Sequence, residues 1–170
     1  MTDLIQRIFS RRLAALLLAG CALPFGAIAQ SPAAAPTVAC PAANELKAPQ
    51  LYGLWLATFA EPSARLPARA TMLLEKHAEF SESLAGLVGR DFGVAPMPVG
   101  MAAKAQLAGD IEDGMLLLDE SSDGVSITGT WNGEVVAGSC GKAFRGVWKD
   151  TSTGASANAS DIAFTLTRLP

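Results

Sequence analysis

Residues 115–149 read MLLLDESSDGVSITGTWNGEVVAGSCGKAFRGVWK, and the periodicity of this stretch decides the fold. In Val125-Ser126-Ile127-Thr128-Gly129-Thr130-Trp131 the odd positions are apolar or small and the even ones carry hydroxyls. That is the period-two pattern of a strand with one dry and one wet face. Asp123-Gly124, two residues that tolerate positive φ, stand before it as a hairpin turn. The return carries Phe144, Gly146 and Trp148 on one face, with Arg145 and Lys149 on the other. Gly129-Thr130-Trp131, Gly146-Val147-Trp148 and Gly53-Leu54-Trp55 share a Gly-x-Trp step whose two outer residues lie on one face. A glycine in that position leaves room beside an indole or lets the strand coil at a barrel corner. Trp55, Trp131 and Trp148 are therefore expected to anchor the core, and they are the candidates for lining a ligand site.

Working outward, the sequence predicts strands at 51–59, 70–76, 82–90, 103–111, 114–120, 125–131, 141–149 and 162–169. Residues 77–81 and the pair Asp113-Gly114 are read as turns, and Asn132-Gly133 is a further turn signal. A helix over 70–88 competes with two of these strands, but Gly86 and Gly89 weaken it. Glu61-Pro62 and Leu66-Pro67 mark a loop after the first strand, and residues 91–100 and 151–160 also read as loops. The expected fold class is all-β, an antiparallel up-and-down meander of about eight strands closing into a small barrel.

Residues 1–12 carry Arg7, Arg11 and Arg12 and are followed by the apolar run 13–20 and then by Ala27-Ile28-Ala29. A basic start, an apolar middle and small residues at the exit make a secretory signal peptide over 1–29, with cleavage between Ala29 and Gln30. Leu18-Ala19-Gly20-Cys21 resembles the lipobox of bacterial lipoproteins, which implies lipidation of Cys21 as an alternative. After Cys21 the chain stays apolar through Phe25, so an ordinary signal with an incidental cysteine is the reading preferred. Ser10-Arg11-Arg12 resembles part of a twin-arginine signal. The expected location is periplasmic or secreted, with a membrane contact only if Cys21 is lipidated. Residues 30–50, which include the Pro/Ala-rich SPAAAP at 31–36, are expected to be a tether, and 51–170 a single barrel domain.

The leader takes three of the thirteen basic and one of the sixteen acidic residues, leaving ten and fifteen and a net charge near −5. A mildly acidic chain without a Lys/Arg cluster argues against nucleic-acid binding and against a polybasic membrane contact. Cys40 and Cys140 survive cleavage, and in an oxidising compartment they are expected to form one disulfide. A pair of free buried thiols is the alternative. No Cys-x-x-Cys redox motif is present.

With these strands in place, Gly53-x-Trp55 in the first and Arg168 in the last resemble the signature of the calycins, the lipocalin- and avidin-type barrels. The resemblance implies that Arg168 lies across Trp55 and closes one end of the barrel through a cation–π contact. It implies no particular ligand, because folds of this kind carry many functions.

Candidate chemistry is sparse. Glu75, His77 and Glu79 alternate and, on a continuous strand, would offer one imidazole and two carboxylates to a metal. Alternating charges also describe a solvated strand face, the reading preferred, so no metal or other cofactor is expected. Asp119-x-Ser121-x-Asp123-Gly124 opens like an EF-hand loop, but the twelfth position is Thr130 and the flanks read as strands. With His77 as the single histidine and no Gly-x-Ser-x-Gly elbow, nucleophilic catalysis has little support. Glu75, Glu79, Asp110 and Glu112 offer carboxylates that the sequence does not rank as a pair. The expected function is a non-catalytic binding module for a small apolar ligand held in the barrel or at its mouth. The alternative is a structural or interaction module whose partner is another envelope protein. Core volume separates the two, since a barrel filled by its own aromatic residues leaves little room for a ligand.

Overall fold

The computed structural model describes residues 39–63, 66–92, 102–156 and 160–170. The leader with its Ala29–Gln30 junction, Cys21, the SPAAAP stretch and residues 93–100 of the expected loop lie outside them. Eight strands follow in chain order: β1 (Gly53–Phe59), β2 (Arg69–Lys76), β3 (Leu84–Arg90), β4 (Lys104–Glu112), β5 (Met115–Ser121), β6 (Gly129–Val135), β7 (Ala143–Asp150) and β8 (Ile162–Arg168). Each pairs antiparallel with the next, and β8 pairs back onto β1, so the sheet is a closed up-and-down barrel. Closure removes both sheet edges.

Alternation sorts the strands into wet and dry faces. Inward positions include Trp55 and Phe59 of β1, Met72 and Leu74 of β2, Leu116 and Leu118 of β5, and Phe144 and Trp148 of β7, all buried. The Gly-x-Trp glycines serve three different ends. A Cβ at Gly129 would stand 2.7 Å from Nε1 of Trp148, so this glycine makes room for an indole on the neighbouring strand. At Gly146 a Cβ would run into the backbone of Asn132 and Gly133, where β6 and β7 approach closely as the sheet coils. Gly53 adopts φ +132°, a conformation that side chains rarely take, under the guanidinium of Arg168.

The Asp113-Gly114 turn forms as expected, with φ of 49° and 82°, the double left-handed geometry of a tight two-residue hairpin. The sixth strand differs from expectation. β6 starts at Gly129, and residues 122–128 fold as a loop in which Val125 and Ile127 are exposed rather than inward. Asp123 accounts for the difference. Its Oδ1 accepts the N–H groups of Val125 and Ser126 at 2.8 and 2.7 Å, taking amides that a strand would give to its ladder. Asn132-Gly133 is consequently mid-strand in β6 and not a turn.

The segment before β1 is also more structured than a tether. Residues Ala43–Glu45 form a 3₁₀ turn and Ala48–Leu51 one short α-helix, α1, so β1 begins two residues later than expected. Leu46, Ala48 and Leu51 are buried in the core of the barrel, which therefore takes in part of the 30–50 segment. Cys40 and Cys140 are joined in a disulfide that ties this segment to the β6–β7 connection. The bridge closes a loop of 100 residues, for which loop-closure entropy gives at most about 4–5 kcal/mol. Cys40→Ser is expected to lower the thermal midpoint under oxidising conditions and to leave it unchanged relative to the parent once both are reduced. Equal midpoints before reduction would show that the bridge adds nothing.

Candidate functional site

All three tryptophans are buried in the barrel interior, and one end of it is built around a carboxylate. Glu120 follows Leu116 and Leu118 on the inward face of β5, and Arg90 follows Leu84 and Val88 on the inward face of β3. Both side chains are 0 % exposed. Arg90 Nη1 and Nη2 donate to Oε1 and Oε2 of Glu120, each at 2.6 Å, in a bidentate pair. The indole N–H groups of Trp131 and Trp148 donate to Oε2 as well, at 3.0 and 3.2 Å. The guanidinium also lies 5.8 and 5.4 Å from the centroids of those two rings, so the cation meets both the carboxylate and the indole faces. Phe59 and Phe164 pack on Trp131 at 5.4 and 5.1 Å and complete the aromatic layer. Among the described residues, Arg90 Nε is left buried without a partner.

The opposite end closes around Trp55. Its Nε1 donates to the carbonyl of Leu51 at 2.8 Å, at the end of α1. Arg168, paired with Trp55 across β1 and β8, holds its guanidinium 6.0 Å from the indole centroid. Its Nη1 and Nη2 donate to the carbonyls of Gln50 and Tyr52 at 2.8 and 2.6 Å. The contact implied for Gly53, Trp55 and Arg168 is therefore present, and it also pins α1 beneath the barrel.

All three tryptophans are buried at 1 % exposure or less and line the core, as expected. They do not share one space. Trp55 packs against Phe144 at one end, while Trp131 and Trp148 lie 6.4 Å apart around Glu120 at the other. Next to this second group, a cleft of about 320 Å³ opens at the barrel mouth between Leu66, Trp148, Asp150 and Ile162.

The metal candidates are not brought together. β2 ends at Lys76, so Glu75, His77 and Glu79 do not share a strand face. His77 Nδ1 accepts the N–H groups of Glu79 and Phe80, both at 3.2 Å, and its ring lies 5.0 Å from Phe80, so the imidazole caps the β2–β3 turn. Among the described residues no group of three or more His, Cys, Asp or Glu is assembled to hold a metal ion. The EF-hand-like stretch is occupied by its own hydrogen bonds: Asp123 Oδ1 takes the Ser121 hydroxyl and the two loop amides. No family model matches the chain, and no curated protein matches it in sequence.

Sequence reasoning missed Arg90 and Glu120. The signal was present in the parity: each charge continues an apolar alternation and so falls on the dry face. Breaking a buried pair costs about 3–5 kcal/mol because the remaining charge stays unpaired, whereas replacing both members with apolar residues is often neutral. Glu120→Ala is expected to lose that much in urea unfolding, with a red-shifted tryptophan emission. The double change Arg90→Met with Glu120→Leu should recover only part of the loss, because it removes the unpaired charge but leaves the indole N–H groups of Trp131 and Trp148 without their acceptor. A single variant costing under about 1 kcal/mol would mean that the pair does not hold this end together.

Asp123 gives a separate pH signature. The backbone N–H groups of Ser126 and Val125, in that order, lower its pKa from 3.8 to about 2. Because the folded value is depressed, the loop's contribution to stability is present above pH 4 or so and is lost as pH falls through about 2. A carboxyl NMR titration should place the Asp123 midpoint near 2, and a midpoint near 4 would mean that the loop hydrogen bonds do not persist in solution.

Proposed function

We propose that this chain is an exported, non-catalytic binding module of the cell envelope, a solid barrel that engages a protein partner through its outer surface. The observation that carries the reading is the interior. The Arg90–Glu120 pair, the indoles of Trp131 and Trp148 and the rings of Phe59 and Phe164 occupy one end, and Trp55 with Phe144 occupies the other. A ligand entering the barrel would have to displace an ion pair whose desolvation is already compensated. Binding at the outer face has no such cost.

Export is supported by the basic-apolar-small leader at 1–29 and by a disulfide, which persists in oxidising compartments. Release at Gln30 gives a soluble periplasmic or secreted protein, and lipidation at Cys21 gives an anchored one. The closed eight-stranded meander, with Arg168 over Trp55 and Gly53 beneath the guanidinium, supports a calycin-like reading of the barrel. A second reading, a small apolar ligand bound at the mouth, is favoured by the 320 Å³ cleft in which Leu66, Trp148 and Ile162 supply apolar walls.

Intact and native mass spectrometry of the protein from its own envelope tests both readings. The expected species starts at Gln30, is two hydrogens lighter than the reduced chain and carries a protein partner under native conditions. A start at Cys21 with acyl chains would replace the soluble form by the anchored one. A small-molecule adduct lost on denaturation, together with a shift in Trp148 emission when apolar probes are added, would transfer the function to the mouth.

A further inference from the structure

Strand register places an apolar saddle between two carboxylates on the outside of the barrel. Glu75, Ala85, Ala108 and Asp119 stand opposite one another in a single row across β2, β3, β4 and β5. Strand spacing puts the backbone positions of Glu75 and Asp119 about 14 Å apart, with only methyl groups between them in the row. In the adjoining row, Leu73 and Leu87 lead to Gln106. Leu87 is 46 % exposed, although a leucine on an outward strand face gains nothing from facing water.

The 122–128 loop forms one wall. A Cβ at Gly124 would stand 3.2 Å from the Gln106 amide, so the loop lies against the outer face of β4. Together these surfaces bound a groove of about 560 Å³ that includes Leu87, Ile127, Glu75 and Asp119, with His77 at one end. Ile127 is 51 % and Val125 88 % exposed, yet the loop that carries them is held at several points. Asp123 caps it from inside. Thr128 N–H donates to the Glu120 carbonyl at 2.7 Å, and the Thr151 hydroxyl donates to the Ile127 carbonyl at 3.1 Å. Apolar side chains presented on a hydrogen-bonded loop lose little freedom on binding, which is the usual advantage of preorganisation.

Charge selects the occupant. Glu75 and Asp119 are the charged groups lining the groove among the described residues, and His77 is the one other titratable group there. Anionic lipid headgroups would be repelled. The chain's own 30–38 segment (QSPAAAPTV) carries no lysine or arginine and no large apolar side chain. We propose that this groove docks an extended segment of a partner protein that combines apolar side chains with a lysine or arginine, the apolar part lying on Leu87 and Ile127 and the cation meeting Asp119 or Glu75. The proposal rests on the reading of the barrel as a protein-binding module and names the face that does it.

A photo-crosslinking amino acid placed at Leu87, at Ile127 and, as a control across the barrel, at the exposed Thr165 of β8 tests the proposal in the protein's own envelope. Adducts are expected from Leu87 and Ile127, with the crosslinked peptide, sequenced by mass spectrometry, holding apolar residues beside Lys or Arg. Asp119→Lys should reduce adduct yield about fivefold or more, the scale of a rim charge pair turned repulsive, and Asp119→Asn should reduce it less. Unchanged tryptophan emission confirms that these exposed substitutions leave the barrel intact. Adducts to a second copy, to the chain's own N-terminal segment, to lipid or to a peptide without a cation overturn the proposal, as does indifference to Asp119→Lys. Adducts from Thr165 alone overturn the groove and leave the protein-binding reading standing. No adduct from any of the three positions overturns both.

Discussion

The barrel depends on one carboxylate. Two oxygens of Glu120 receive four donors: two from Arg90 and one each from the indoles of Trp131 and Trp148. Those residues come from β3, β5, β6 and β7, so one group ties together half of the strands. A buried carboxylate is tolerable only when its lone pairs are satisfied, and each of these donors would itself be costly to bury alone. The network also fixes register. Slipping any of the four strands by one residue would carry its charged or indole member to the wet face and leave the others unsatisfied.

Each end of the barrel uses an arginine over tryptophan, but the two arginines do different things. Arg168 is exposed, satisfies carbonyls of the segment before β1 and fastens that segment beneath Trp55. Arg90 is buried, has its charge matched by Glu120 and serves as interior filling. On β1, β6 and β7 the large inward residues alternate with Ala57, Gly129, Gly133 and Gly146, which lets these strands close around side chains without overpacking. With the interior committed in this way, Leu87, Val125 and Ile127 are left exposed on the outer rows and loops.

Much of this was legible in the sequence. Period-two alternation and turn pairs gave eight strands, and Arg168 could be matched to Gly53 and Trp55 because its position in the last strand was readable. Two features were harder to read. Asp123-Gly124 reads as a tight hairpin pair, but the connection is the longer loop 122–128: the alternation of 125–128 mimics a strand, and pattern alone does not reveal that one side chain has captured two amides. The Arg90–Glu120 pair was hidden for a different reason. Parity marks each as inward, but 30 residues separate them, and only the β3–β4–β5 register shows that the two unfavourable charges meet. A lone charge on a dry face reads as an error, whereas two of opposite sign read as a device.

The two features missed by pattern are adjacent in the chain, and this links the core to the outer groove. Glu120 and Ser121 end β5, with the side chain of Glu120 inside the barrel and its carbonyl accepting from Thr128 at the base of the loop. Asp123 then turns the chain outward, and its capture of Val125 and Ser126 converts what would have been a longer β6 into a wall over β4. Had residues 125–128 continued β6, Val125 and Ile127 would have shared the face of Gly129 and Trp131. Their exposure follows instead from the hydrogen bonds of Asp123, and the loop places Ile127 at the groove that Leu87 lines. Glu120 thus serves both sides, its carboxylate in the core and its carbonyl at the base of the loop that carries Ile127.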